Sequence, residues 1–439
     1  MSKVLPVRAL RYDPSRVGDL AAVLAPPYDV ISPEEQDALH DRHPDNVVRL
    51  ILGYQHPTDH DADNRYTRSA AELARMMGAG TIRQDDRPAF YVYDQCFALP
   101  DGRQVCRRGV IGRWRITDDG GLLAHEKTLD GPKQDRFRLF RACKVVCSQV
   151  FTFYSDPQRT VDAIVAEPGV LEPAAECTTP DGVTHRLGLV TRPDAVGRMG
   201  EALSAHTQFI ADGHHRFETT RNYRDARRAE TPGYRGDEPF NFASVYMANT
   251  HQDGLVILPI QRLLHSIPGF DAADLLARVA AHCDVTPVPG DMNAVDRALA
   301  ASGKVGPSFA MWTAGRWQVI RVRPDAHAAF VRESGLHPAV AALDVSWLHQ
   351  QVLTGMLGIT KEAQAAKTNI DYEHTLEDVA AALAARPERY QAAFLLNPVR
   401  VDQIQAVAAA GERMPQKSTF FYPKIISGLV IHPLEERIP

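Results

Sequence analysis

No stretch of the 439-residue chain approaches the roughly 18 uninterrupted apolar residues of a membrane-spanning helix. The opening MSKVLPVRAL has neither the apolar core nor the cleavage pattern of a secretory signal. These two absences lead to the expectation of a cytoplasmic protein without a membrane partner. Positive charge is not in excess: 49 Lys and Arg face 54 Asp and Glu, for a net charge of −5. That balance excludes the broad basic footprint of a nucleic-acid coat, so nucleic acid is not an expected partner. A local basic pocket stays compatible with it. Cysteine is scarce, with six residues at 96, 106, 143, 147, 177 and 283 and no Cys-x-x-Cys pair. In a compartment that keeps thiols reduced, they are expected to be buried thiols, neither metal ligands nor disulfides. No internal repeat and no low-complexity tract is present.

What remains is an ordinary globular composition, 44% hydrophobic and 23% charged, on a chain long enough for two or three cores. The first 88 residues read as an α-rich segment packing on the core. Ser32 caps a helix that begins at Pro33 and carries Glu34 and Glu35 in its first turn. The run VVRLIL, 47–52, reads as a short buried strand, and a helix follows near 65–80. From 89 to 239 the pattern turns to strands and helices. Two β-rich runs flank a turn at Asp101-Gly102, a helix covers 194–205, and TQFIA forms a strand. A further α+β region occupies 240–439. Strands and helices alternate without regular βαβ spacing, so the expected class is α+β with a mixed sheet.

The stretch ADGHHRFET, from Ala211, carries the chemistry. If a strand ends before it and a helix begins within it, Gly213 lies on the sharp turn between them and lets a ligand approach the backbone. The helix N-terminus then offers unpaired N–H groups and the positive end of a dipole. His214, His215 and Arg216 add donors suited to phosphate oxygens. The other reading of the same residues is a capped helix, with Asp212 as cap and the histidines packed. Zinc is not expected, because adjacent histidines point in different directions on a helix. Lys417, Ser418 and Thr419 could hold a phosphate too, without the glycines of a P-loop. Tyr28, Asn46 and Arg49 are polar groups in apolar flanks. Arg49 is either a buried ion-pair partner or a carboxylate clamp, and Arg136 either lines the same pocket or starts a charged helix.

The motif DGHHR resembles the phosphate-binding signature of the ParB/sulfiredoxin superfamily, closest to the form in its free-serine kinases. The preceding segment around HEKT, residues 125–128, is similar to that superfamily's earlier half. Taken whole, through APPYDVI, HPDNVVRL, HEKT, ADGHHRFET and KSTFFYPK, the chain resembles the bacterial and archaeal family known as domain of unknown function 1015. The superfamily resemblance implies a ParB/sulfiredoxin-like core that binds a nucleotide, ATP or ADP, with Mg²⁺. The sulfiredoxin cysteine is replaced by His214, which speaks against sulfur chemistry. Members that bind CTP and read DNA carry Glu-Arg-Arg in the signature. The kinases take a general base from a His-Glu pair, which corresponds to His125 and Glu126, with Asp212 orienting the nucleophile or holding metal through water. The reading that follows is a kinase or phosphotransferase acting on a small hydroxyl metabolite, serine- or phosphoserine-like. A phosphatase on the same cradle and a nucleotide-gated DNA-binding protein are its alternatives. A homodimer is compatible with all three.

Overall fold

The computed structural model describes all residues except 1, 2, 100, 101, 119, 120, 127–129, 437 and 439. It is a mixed α+β structure whose internal contacts divide it into two units. The first comprises 1–124, 128–256 and 423–439, the second 125–127 and 257–422.

The first unit is built on an eight-stranded sheet. Its strands are β1 (Val4–Leu5), β2 (Phe90–Ala98), β3 (Gln104–Arg115), β4 (Val150–Tyr154), β5 (Leu171–Thr178), β6 (Thr184–Val190), β7 (Phe209–Asp212) and β8 (Phe242–Asn249). They run in the order β7-β4-β8-β3-β2-β6-β5, with β1 added alongside β3. The β4–β8 pair is parallel and the other neighbours are antiparallel, so the sheet is mixed. Every residue of β8 is buried, as the uninterrupted run FASVYMAN requires of a strand covered on both faces. One face carries Phe90, Val92, Val110, Trp114, Val245 and Met247 in an apolar core that takes Met199 and Leu203 from a helix at Pro193–Ala205. The alternate positions Tyr93, Gln95, Arg107 and Tyr246 are buried as well. The C-terminal segment lies over them: Gln95 donates to the Lys424 carbonyl at 2.9 Å and Arg107 to the Pro423 carbonyl at 2.6 Å.

Three helices of this unit follow their sequence signals. Helix α1 (Pro33–Arg42) has Ser32 accepting from the Glu35 amide. In α2 (Arg65–Gly78), Asn64 and Thr67 form a reciprocal capping box. The third, α3 (Asp130–Cys143), packs Phe140 against Tyr223.

Two expectations are corrected here. The run at 47–52 is not a strand: Val48–Ile51 forms one helical turn. The Asn46 carboxamide accepts from the Val48 amide at 2.8 Å and donates to the carbonyls of Ala22 and Leu24. A short apolar run suits a buried helical turn as well as a strand, and those bonds select the turn. The cysteines are not all thiols, because Cys96 and Cys106 form a disulfide. The two face each other in the β2–β3 register with Cα atoms 4.0 Å apart. The hairpin expected around Asp101-Gly102 is what sets them opposite; Asp101 itself lies outside the described residues. Cys143, Cys147 and Cys283 are buried and Cys177 half-buried, all unpaired by disulfide.

The second unit carries a six-stranded antiparallel sheet of β9 (Gln261–His265), β10 (Cys283–Pro287), β11 (Ser308–Thr313), β12 (Arg316–Val322), β13 (Ile370–Glu373) and β14 (Tyr390–Leu396), ordered β10-β12-β11-β14-β9-β13. Its core joins Leu263, Ala310, Val319 and Leu395 to Val295 and Leu299 of α4 (Met292–Gly303) and Val379 of α5 (Leu376–Ala385). Among the described residues of the chain, no helix is long and apolar enough to cross a membrane.

Candidate functional site

The strand β7 pairs with β4 at Phe209↔Phe153 and Ile210↔Thr152, then slips so that Asp212 lies opposite Phe151. The extra residue is a bulge, which re-aims the side chain that follows it. Gly213 comes next with φ +88° and leads into the helix His214–Glu230. An added Cβ at Gly213 would sit 2.9 Å from the Arg216 guanidinium carbon, so both backbone and space call for glycine. Gly213, at the N-cap, has no side chain with which to cap this helix.

Asp212 binds two cations. Lys424 Nζ lies 2.6 Å from Oδ1, and Arg216, one helical turn on, donates to Oδ2. Burial opposes the ionisation of Asp212, but Lys424 and Arg216 outweigh it and hold the carboxyl well below the usual range. Arg216 is buried and donates also to the Gln149 carbonyl. Arg107, buried beneath Phe151 with its guanidinium 4.5 Å from that ring, feels the same carboxylate. His214 is buried, whereas His215 is half-buried. Burial lowers the pKa of His215, with Asp29 and Glu218 pulling the other way, which leaves a neutral ring near pH 7. Lys133 of α3 meets Glu218 of the helix at 3.1 Å. The result is a glycine-led helix N-terminus with fixed cations at its first turn, an arrangement suited to an anionic oxygen.

The second unit gathers another set. His125 is buried, with Nε2 3.3 Å from the Thr419 hydroxyl, and its carbonyl accepts from the Met414 amide at 2.8 Å. Glu126, beside it, is half-buried. Ser418 donates to the Pro415 carbonyl at 2.6 Å, and Lys417 is exposed with a left-handed backbone, φ +59°.

The remaining residues expected to bind substrate lie in the first unit. Arg49 donates to the His40 carbonyl at 2.8 Å. The Asn46 carboxamide is taken up by backbone groups. Arg136 stacks over Tyr28 at 4.0 Å and donates to the Ile51 carbonyl at 2.6 Å; burial pushes the Tyr28 hydroxyl up to about 12. Sequence reasoning left Lys424 and Arg107 out of the site. The signal for Lys424 was a single cation in the apolar run FFYPKIISGLVI.

The family model described as "Protein of unknown function (DUF1015)" matches residues 4–346. No curated protein matches the chain. Several solved structures are weakly similar to the chain. A conserved hypothetical protein from Pyrococcus furiosus is 13% identical, with 73% of this chain and 94% of that one covered and a TM-score of 0.33. A free serine kinase in complex with AMP is 11% identical, with 73% and 92% covered and a TM-score of 0.34. SbnI with a C-terminal truncation, from Staphylococcus aureus, is 11% identical, with 74% and 87% covered and a TM-score of 0.34. At such scores none carries a functional argument.

Proposed function

The chain belongs to the DUF1015 family, and we propose that it is a nucleotide-dependent phosphotransferase acting on a small hydroxyl metabolite. The observation that carries this reading is the glycine-led N-terminus of His214–Glu230, with Lys424 and Arg216 held beside it by Asp212. Amides of that first turn, with Lys424 and His215, would bind the oxygens of a nucleotide phosphate, ATP or ADP. Asp212 keeps both cations in place, so little reorganisation is needed as charge shifts. On the resemblance of its His-Glu pair to that of the free-serine kinases alone, Glu126 is the proposed general base. It takes the proton of the acceptor hydroxyl as the new O–P bond forms and the terminal anhydride bond breaks, and the nucleotide leaves one phosphate shorter. Mg²⁺ does not fit Asp212, whose two oxygens already meet cations, so no step is assigned to it. The resemblance of DGHHR and the His-Glu pair to the free-serine kinases of the ParB/sulfiredoxin superfamily supports a serine-like acceptor and a phosphoserine-like product.

The test is to incubate the protein, in Mg²⁺ buffer, with ATP or ADP and a pool of hydroxylated metabolites, and to read new phosphorylated species by mass spectrometry. Glu126→Gln should keep nucleotide affinity while kcat falls about 10²–10⁴-fold. Lys424→Met should weaken nucleotide binding by roughly 2–3 kcal/mol. A Glu126→Gln variant with near-normal kcat would remove the base assignment, and unchanged nucleotide affinity in folded Lys424→Met would remove the phosphate site.

A further inference from the structure

Arg262 sits in the middle of β9, paired in register with Tyr372 and Phe394, and its side chain is fully buried. Its guanidinium donates to the Ile260 carbonyl, to the Lys417 carbonyl at 2.8 Å and to His349 Nε2 at 3.1 Å. All three acceptors are neutral. Among the described residues no carboxylate pairs with it, and its Nε has no hydrogen-bond partner. A guanidinium withdrawn from water without a counter-ion is costly, and neutral carbonyls do not cancel its charge.

A separate feature lies beside it. His349 is carried on a π-helix, Leu348–Met356, a wide form rare in proteins and frequent at functional sites. Burial, reinforced by Arg262, holds His349 well below its usual pKa, so the ring is neutral. Tyr372, half-buried, places its ring 5.8 Å from the guanidinium carbon.

We propose that Arg262 and His349, covered by Tyr372, form a binding site in the second unit for a small monocarboxylate. The inference does not rest on the phosphotransferase reading. Charge selects the ligand: one guanidinium among neutral groups is cancelled by one negative charge, whereas a phosphate dianion would leave a net buried charge. Shape agrees with charge. Nε and one terminal nitrogen share an edge of the guanidinium plane, the edge on which a carboxylate places both oxygens. His349, shifting to the tautomer protonated at Nε2, then donates to the second oxygen. Tyr372 is the residue that would move to admit the ligand.

The full-length protein would be titrated calorimetrically with sodium formate and sodium acetate, against sodium chloride and sodium phosphate at matched ionic strength. The expected result is saturable binding of the carboxylates and a matching rise in Tm. His349→Gln should weaken binding severalfold. Arg262→Met should weaken it at least tenfold, yet melt no lower than wild type in chloride, because it removes an uncompensated buried charge. Wild-type protein showing no saturable carboxylate effect beyond that of chloride would overturn the proposal. So would phosphate binding as well as acetate, or folded Arg262→Met binding acetate like wild type. Should Arg262→Met fail to fold, wild type and His349→Gln decide: carboxylate binding equal in the two overturns the site, and weakening in His349→Gln supports it.

Discussion

Replacing Asp212 by Asn keeps the side-chain shape and removes one negative charge from between two cations. In the native protein that carboxylate meets Lys424 at 2.6 Å and Arg216 on its other oxygen, and all three side chains are at most 17% exposed. Breaking a buried pair by neutralising one partner costs about 3–5 kcal/mol, because the other charge is left uncompensated. Here two cations are left facing each other. For a unit of this size that corresponds to a fall in Tm of about 6–15 °C at pH 7. Acidity adds a second signature. Asp212 titrates below the usual carboxylate range in the folded protein, so its stabilisation is present above the unfolded value of about 4 and is lost as pH falls below it. The Asn variant has no such term to lose, and the two stability curves should converge in acid. Adding Lys424→Met to the Asn variant should recover part of the loss, with a coupling of about 1–3 kcal/mol. The assay is calorimetric melting from pH 3 to 8, with hydrogen exchange over 209–230 to locate the effect. A variant within 2 °C of wild type at pH 7, or one that shows the same acid dependence, would refute the reasoning.

Gly213→Ala should destabilise the first unit by about 1–3 kcal/mol in urea unfolding, because φ is +88° and the new Cβ presses on the Arg216 guanidinium. In the second unit Asp344 is pushed up to about 6, by burial first, with Asn397 and the Ser308 amide pulling the other way. Its raised value favours the fold below the unfolded pKa and weakens it as pH rises from about 4 to 6. Asp344→Asn should therefore be more stable than wild type at pH 7.5, by about 1–3 kcal/mol, and lose that advantage by pH 4. A pH-independent difference in thermal melts would contradict this.

Ser32 ahead of Pro33, the hairpin between β2 and β3, the helix at 65–78 and the glycine turn before His214 were all legible in the sequence. Each rests on interactions reaching a few residues along the chain: a cap, a period of 2 or 3.6, a left-handed glycine. The hairpin also held the disulfide in plain view, since a turn centred near residue 101 sets 96 against 106, but an argument from compartment overrode the register. At 47–52 local information was ambiguous, and a side-chain bond from Asn46 decided between strand and helix.

What only the tertiary structure decided is which charges meet. Asp212 and Lys424 are 212 positions apart, and their contact exists because the segment after Pro423 returns to the first unit and lies along Gln95 and Arg107. Arg262 carries no local signal in the sequence, and the neutral partners around its guanidinium are brought by the π-helix, through His349, and by the Lys417 carbonyl. Local periodicity sets which residues face inward, but the electrostatic environment of a charge depends on every segment folded around it, and no short-range pattern records that.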